Sequence, residues 1–209
     1  MPDDAQADVE SLDDEVPNGR LVIMTGAQAA GKSTLGHAVA ALLPKAVHVD
    51  GDAIHGFVVS GEVPYDVPPP PGATEQLLLR YAGAIAVCRV YRSAGFDAVV
   101  TDNIFGSLVA DVLTLAFADT MTADVRLVVL DPEPEVLSER ERGRPKKGYS
   151  ESITVPMLVS AVREETPHIG LWLDNGRQTV AESAAEIVRR MDTDAVVDEH
   201  DLLDLLMPG

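Results

Sequence analysis

Nine consecutive residues, Gly26, Ala27, Gln28, Ala29, Ala30, Gly31, Lys32, Ser33 and Thr34, carry four kinds of chemistry in one short stretch. Gly26 and Gly31 admit backbone angles closed to other residues, so successive N–H groups can turn inward and form an anion-sized nest. A helix predicted to begin at Lys32 would point its positive end at the same spot. The Lys32 ammonium can reach the outer phosphates of a nucleoside triphosphate, and the Ser33 hydroxyl can ligate Mg²⁺. The pattern is Gly, four residues, then Gly-Lys-Ser, the phosphate-binding loop. A glycine-rich turn without function is the rival explanation. The apolar strand expected before the loop, Leu21 to Met24, and the helix expected after it weigh against that rival.

A bound triphosphate needs something to receive its terminal phosphoryl group, and two carboxylates are placed for that work. Asp50 and Asp52 follow a short predicted strand, Ala46 to Val49. In an open parallel sheet, ligands bind beyond the carboxyl ends of the strands, so both acids should face the crevice that holds the loop. One can hold metal-bound water while the other takes the proton of a hydroxyl acceptor. The competing role is capping the next helix, a common use of Asp. Asp102 also ends an apolar strand, either as a metal-supporting acid or as a plain turn residue.

Cations should gather around the transferring group. Five of the 16 basic residues fall between 140 and 147: Arg140, Arg142, Arg144, Lys146 and Lys147. A lid carrying them would stabilise charge on the departing phosphate and exclude water. A solvated helix end balancing its own dipole is the alternative. His48, His55 and His168 show no metal-ligand spacing; His55, a turn after Asp52, could contact substrate. Cys88 occupies an apolar position of a helical stretch and reads as core.

The surrounding elements read as five strands alternating with helices. Beyond the first two, strands are expected at 96–101, 125–130 and 169–173, and helices at 35–43, 53–60, 74–94, 108–118, 134–142, 155–165 and 180–191. Residues 61–72 contain five prolines and should form a stiff connector or one wall of a substrate pocket. This alternation predicts an α/β three-layer sandwich, a five-stranded parallel sheet with helices on both faces.

With 209 residues and 46% hydrophobic content, the chain suits one domain. Its formal charge of −18 is concentrated at the ends: residues 1–15 hold seven acids and residues 192–209 hold six, with no Lys or Arg in either. We therefore expect an acidic, disordered leader at 1–18, a folded domain at 19–191 with a lid near 140–150, and an acidic tail at 192–209. The leucines of that tail imply a short helix docked on its own domain, or else a contact with a partner such as a second copy in a homodimer. Without clustered basic residues outside the lid, nucleic acid is a poor partner. No signal peptide or membrane span is visible, so a cytoplasmic protein is expected.

The chain resembles the small P-loop kinases with an adenylate-kinase-like sheet, among them shikimate, gluconate and chloramphenicol phosphotransferases and zeta-toxin-type kinases. The resemblance covers roughly residues 20–190 and rests on the loop at 26–34, on Asp50-Gly51-Asp52, on the Arg-rich stretch at 140–147 and on Leu171-Trp172-Leu173-Asp174. It implies a nucleoside-kinase-like P-loop NTPase using ATP and Mg²⁺. Asp52 would be the acceptor base, Asp50 a Mg²⁺-shell or substrate ligand, and Arg140, Arg142 or Arg144 lid cations; residues 175–177 would lie near adenine. The acceptor would be a hydroxylated small molecule, with an antibiotic or other natural product suggested by the chloramphenicol phosphotransferase plan. A nucleotide or polynucleotide kinase and a regulatory ATPase remain the alternatives.

Overall fold

The computed structural model describes residues 18–118, 124–144 and 148–207. The leader expected at 1–18 thus lies outside the described residues except for Asn18, as do Lys146 and Lys147 of the basic stretch.

Strand β1 (Leu21–Gly26) runs through the middle of the sheet, and all six of its residues are buried. It pairs in parallel with β3 (Asp97–Thr101) on one side and β4 (Val125–Leu130) on the other. Outward from these lie β2 (Ala46–Asp50), beside β3, and β5 (Leu171–Leu173), beside β4, also parallel. The order is therefore β2-β3-β1-β4-β5. A two-residue strand, β6 (Val196–Val197), joins β4 antiparallel and was not expected from the sequence. Two residues give no readable periodicity.

Continuous apolar runs such as Leu21-Val22-Ile23-Met24 and Val125 to Leu130 require cover on both faces, and helices supply it. Helix α1 (Lys32–Leu42) packs with α7 (Val180–Arg190) and also lies on β3. Helix α3 (Ala73–Arg92) lies on β3 and β2 and packs with α4 (Leu108–Phe117), which in turn carries α8 (Glu199–Leu206). Cys88 faces this core and is buried, and burial pushes its thiol up to about 12. The parallel sheet with helices on both sides is the predicted architecture.

Three local departures matter for the site. The helix expected at 53–60 is α2 (Gly51–His55), so Asp52 lies within its first turn and Asp50 is its N-cap. The helix expected at 155–165 is α6 (Val155–Ser160), which widens into a π turn at Ala161–Glu165. The acidic tail continues the fold as far as residue 207: Asp192 bonds Arg20 and Arg126, Ala195 and Val197 are buried, and α8 begins with a reciprocal Asp198–Asp201 capping box. Leu202 is the buried contact of α8. Among the described residues no helix is long and apolar enough to cross a membrane.

Candidate active site

The loop between β1 and α1 folds as its residue types dictate. Gly26 has φ of 141°, and a side chain there would collide with the Leu130 carbonyl on the neighbouring strand. Gly31 has φ of 102°, a left-handed conformation that turns the chain into the helix. Ala29 adopts φ of 64°, unusual for a residue with a side chain and typical of functional loops. Ala27 and Ala30 are buried beneath the loop, while Gln28, Ala29, Gly31, Lys32, Ser33 and Thr34 face a cavity of about 1190 Å³. Helix α1 has no side-chain cap and no acid in its first turn, so its N–H groups are left for an anion.

Lys32 folds over this nest, its Nζ donating to the carbonyls of Gly26 and Ala27 at 2.9 Å each. Burial pulls the ammonium down to about 8, against the raising influence of Asp102. A buried cation beside unoccupied donors is poised for phosphate oxygens, which would restore its charge.

The opposite wall is acidic. Asp50 Oδ1 accepts from the Asp52 N–H at 3.0 Å, the capping geometry weighed for it from the sequence. Its cavity-facing position leaves a substrate role open. Asp52 is the more exposed acid, its side chain 56% accessible. Asp102 is its opposite, with a side chain 1% accessible. Arg80 of α3 donates through Nε to Asp102 Oδ2 at 2.6 Å and through Nη2 to Oδ1, and the Asn103 N–H adds a third bond at 2.7 Å. The same Nη2 lies 3.6 Å from Asp52 Oδ1.

This arrangement alters the reading of Asp102. Considered as a metal-supporting acid, it has both oxygens committed to Arg80, a fork-on-carboxylate pair suited to bidentate binding and not to a metal ion. Burial still holds its carboxyl above the ordinary range, opposed by Arg80. The middle residue of Asp-Gly-Asp is explained too: a side-chain carbon on Gly51 would overlap the Asp102 carboxylate. Arg80 is one of three arginines in α3. Nothing in α3's own pattern distinguishes it from Arg89 or Arg92, because its partner lies 22 residues away on another element.

The basic stretch divides into separate roles. Arg140 lies on the last turn of α5 (Pro134–Arg142), its Nη1 donating to the Ala30 carbonyl at 3.0 Å and its Nη2 to the Asn175 carbonyl at 2.9 Å. Asn175, only 3% accessible, donates its own amide to the Ala30 carbonyl at 2.9 Å and leaves its side-chain oxygen without a partner. Arg140 and Asn175 thus brace the loop from behind while both border the cavity. Arg144 also borders it, 3.6 Å from Glu141 Oε2. Arg142 is exposed and does not line the cavity; its Nε is 3.3 Å from the Ser138 carbonyl, one turn back along α5.

From Gly148 onward the chain lies over the loop. Gly148 and Tyr149 donate N–H groups to Glu141 Oε1, and the Tyr149 hydroxyl donates to the Gln28 carbonyl at 2.6 Å. Opposite, Pro64, Tyr65 and Val67 of the proline-rich segment face the cavity. Gln76 of α3 holds that segment through the Gly61 carbonyl and the Val63 N–H. The two walls meet where Ser152 donates to Asp66. His55 lines the cavity within 3.2 Å of Glu62.

As for metal, no group of three or more His, Cys, Asp or Glu side chains among the described residues could hold an ion. The donor set fits Mg²⁺ only as an ion that arrives with nucleotide, with the Ser33 hydroxyl as its protein contact.

A P-loop at the end of the central strand, in a parallel sheet with helices on both faces, defines a nucleotide-binding domain with a small-kinase-like fold. The chain belongs to the AAA domain family, which it matches over residues 21–164. No curated protein matches it in sequence. Among solved structures it is similar to a sugar kinase from Janibacter sp. (20% identity, TM-score 0.59, covering 85% of this chain and 96% of that one). It is similar also to the Mycobacterium tuberculosis APS kinase CysC in complex with AMPPNP and APS (16%, TM-score 0.62, 85% and 99%). A third is the tunicamycin resistance protein of Deinococcus radiodurans (14%, TM-score 0.59, 86% and 99%). At these identities the likeness is one of fold.

Proposed function

We propose that the protein is a kinase that transfers the γ-phosphoryl group of ATP to a hydroxyl of a small molecule. The observation that carries this reading is that the loop nest with Lys32 and the acids Asp50 and Asp52 open into one cavity. The AMPPNP bound to the related APS kinase supports ATP as donor.

In this reading the acceptor oxygen forms a bond to the γ-phosphorus as the bond from that phosphorus to the β,γ-bridging oxygen breaks. The acceptor proton passes to Asp52, and ADP leaves. Lys32 and the α1 N–H groups hold the phosphates, while Arg144 and the lid supply positive charge where it builds up. Arg140 acts by bracing the loop, and Asp102 by fixing Arg80 beside Asp52. Mg²⁺, entering with ATP and touching Ser33, would neutralise phosphate oxygens. Gly26 to Thr34 would cradle the nucleotide, and Asp50 would orient the acceptor.

The apolar wall of the cavity, with Tyr65, Val67, Leu77, Phe105 and Met157, supports a natural product such as an antibiotic over a sugar acid. The fold shared with a tunicamycin resistance protein is consistent with that. The test is Asp52→Asn: with general-base catalysis contributing about 10²–10⁴-fold, transfer should fall by that order while ATP affinity holds. Near-normal transfer by Asp52→Asn to the true acceptor would refute the assignment.

A further inference from the structure

The acceptor end of the cavity has a charge balance unlike that of its nucleotide end. Lys32, Arg140 and Arg144 all stand against the loop or the lid. Away from them, Arg80 is the one Lys or Arg among the described residues of the cavity wall, and Asp102 engages it with both oxygens. Two further carboxylates face the same space: Glu165, and Glu62, whose Oε1 lies 3.2 Å from His55 Nε2. An anionic acceptor would add like charge to this wall, where the one Lys or Arg is already paired with Asp102, a cost that grows as water is excluded.

Glu165 reaches the cavity through an uncommon piece of backbone. Helix α6 widens into the π turn at Ala161–Glu165, and Glu165 is its last residue. Thr166 fixes the turn by donating to the Ala161 carbonyl at 3.0 Å and accepting from the Gly106 N–H at 2.9 Å. The Glu165 carboxylate then lies beside Gly106, which itself borders the cavity. Single π turns inside α-helices cost hydrogen-bond geometry and occur often at functional sites, where they redirect a side chain. Nearby, Asn103 in the same wall has a side-chain oxygen without a hydrogen-bond partner. Apolar groups fill the remainder, and Tyr65 and Phe105 present aromatic rings that favour a cation over an anion.

We propose that the acceptor is an amine-bearing alcohol with an apolar body, its ammonium group held by Glu165 and Glu62 and its hydroxyl turned to Asp52. This rests on the kinase reading and narrows it: sugar acids, nucleotides and other anionic alcohols are excluded, and a neutral alcohol is a poor substrate.

The experiment is a set of charge-matched triplets. Each consists of an aromatic amino alcohol such as 2-amino-1-phenyl-1,3-propanediol, its N-acetyl derivative and its N-succinyl derivative, so that body and hydroxyls stay fixed while charge runs from +1 to 0 to −1. With the full chain and MgATP, phosphorylation is read as a mass gain of one phosphate, and binding by calorimetry. The cationic member should be preferred at least tenfold in kcat/KM over the neutral one, with the anionic one inactive. Glu165→Gln and Glu62→Gln, both substitutions of exposed residues, should raise KM for the cationic member several-fold, leave kcat and the KM for ATP near wild type, and narrow the gap to the N-acetyl member. Turnover that is equal across a triplet, or greatest for the neutral or anionic member, overturns the acceptor class and leaves the kinase reading intact. Calorimetric binding of ATP with no turnover or binding of any cationic member also overturns the class. Failure of ATP itself to bind overturns the kinase reading beneath it.

Discussion

Replacing Arg80 with Met keeps the length and apolar stem of the side chain and removes only the guanidinium. Asp102 would then keep the bond from the Asn103 N–H while losing both from Arg80, with its side chain 1% accessible. Breaking a buried ion pair by removing one partner costs about 3–5 kcal/mol, most of it the penalty of the stranded charge. Arg80 is 16% accessible and the Asn103 bond persists, so the low end of the range, about 3 kcal/mol, is expected. For a chain of this size that lowers Tm by about 6–12 °C. The sign of the pH dependence follows from the direction of the shift. Burial holds the Asp102 carboxyl above its ordinary value, so the folded state binds more protons than the unfolded state in the window between the two. Stability is therefore lost as pH rises through that window. Loss of Arg80 enlarges the penalty, making the variant's deficit greatest at neutral pH and smaller as pH falls toward the carboxyl range. Urea unfolding of wild type, Arg80→Met, Asp102→Asn and the double variant closes a thermodynamic cycle, with an expected coupling of about 2 kcal/mol. A deficit below about 1 kcal/mol for Arg80→Met, or one that Asp102→Asn fails to relieve, would refute the claim that this arginine exists to neutralise a buried acid.

Two further outcomes are expected. The Lys32 ammonium, held down to about 8, is a cost to the fold below that pH that is relieved as pH rises toward the ordinary lysine value of 10.5. ATP needs the charged form, so its Kd should rise above pH 8 and binding at pH 9 should take up about one proton, measured by calorimetry in buffers of differing ionisation enthalpy; affinity independent of pH from 7 to 9.5 would contradict this. Gly51→Ala should destabilise by about 1–3 kcal/mol and depress transfer, because the added carbon displaces Asp102 from Arg80. An unchanged urea midpoint would count against that contact.

What was legible in the sequence was whatever is local. The loop announces itself because glycine backbone freedom, a lysine and a hydroxyl must fall at fixed offsets. The Asp50-Gly51-Asp52 pattern follows a strand end, which fixes the side of the sheet it occupies. Long apolar runs such as 125–130 gave the buried strands. Arg80 was not legible, because its role depends on Asp102 arriving from β3. Arg140 shows the same limit: a run of basic residues looks uniform in one dimension, yet this one turns to the carbonyls of Ala30 and Asn175 while Arg142 two positions on faces solvent. The π turn of α6 has no signature in the sequence, because the apolar pattern of 155–165 is compatible with an ordinary helix and the Thr166 bridge to residue 106 is tertiary.

The contact between Ser152 and Asp66 fastens the proline-rich wall to the strap that crosses Gln28. Moving the proline-rich wall away from the strap must either sever this clasp or drag the strap with it. Its groups are exposed, so a single solvent-screened hydrogen bond is at stake, weak enough to yield to thermal motion. The position of the proline-rich wall is thereby linked, through the strap, to the phosphate-binding loop.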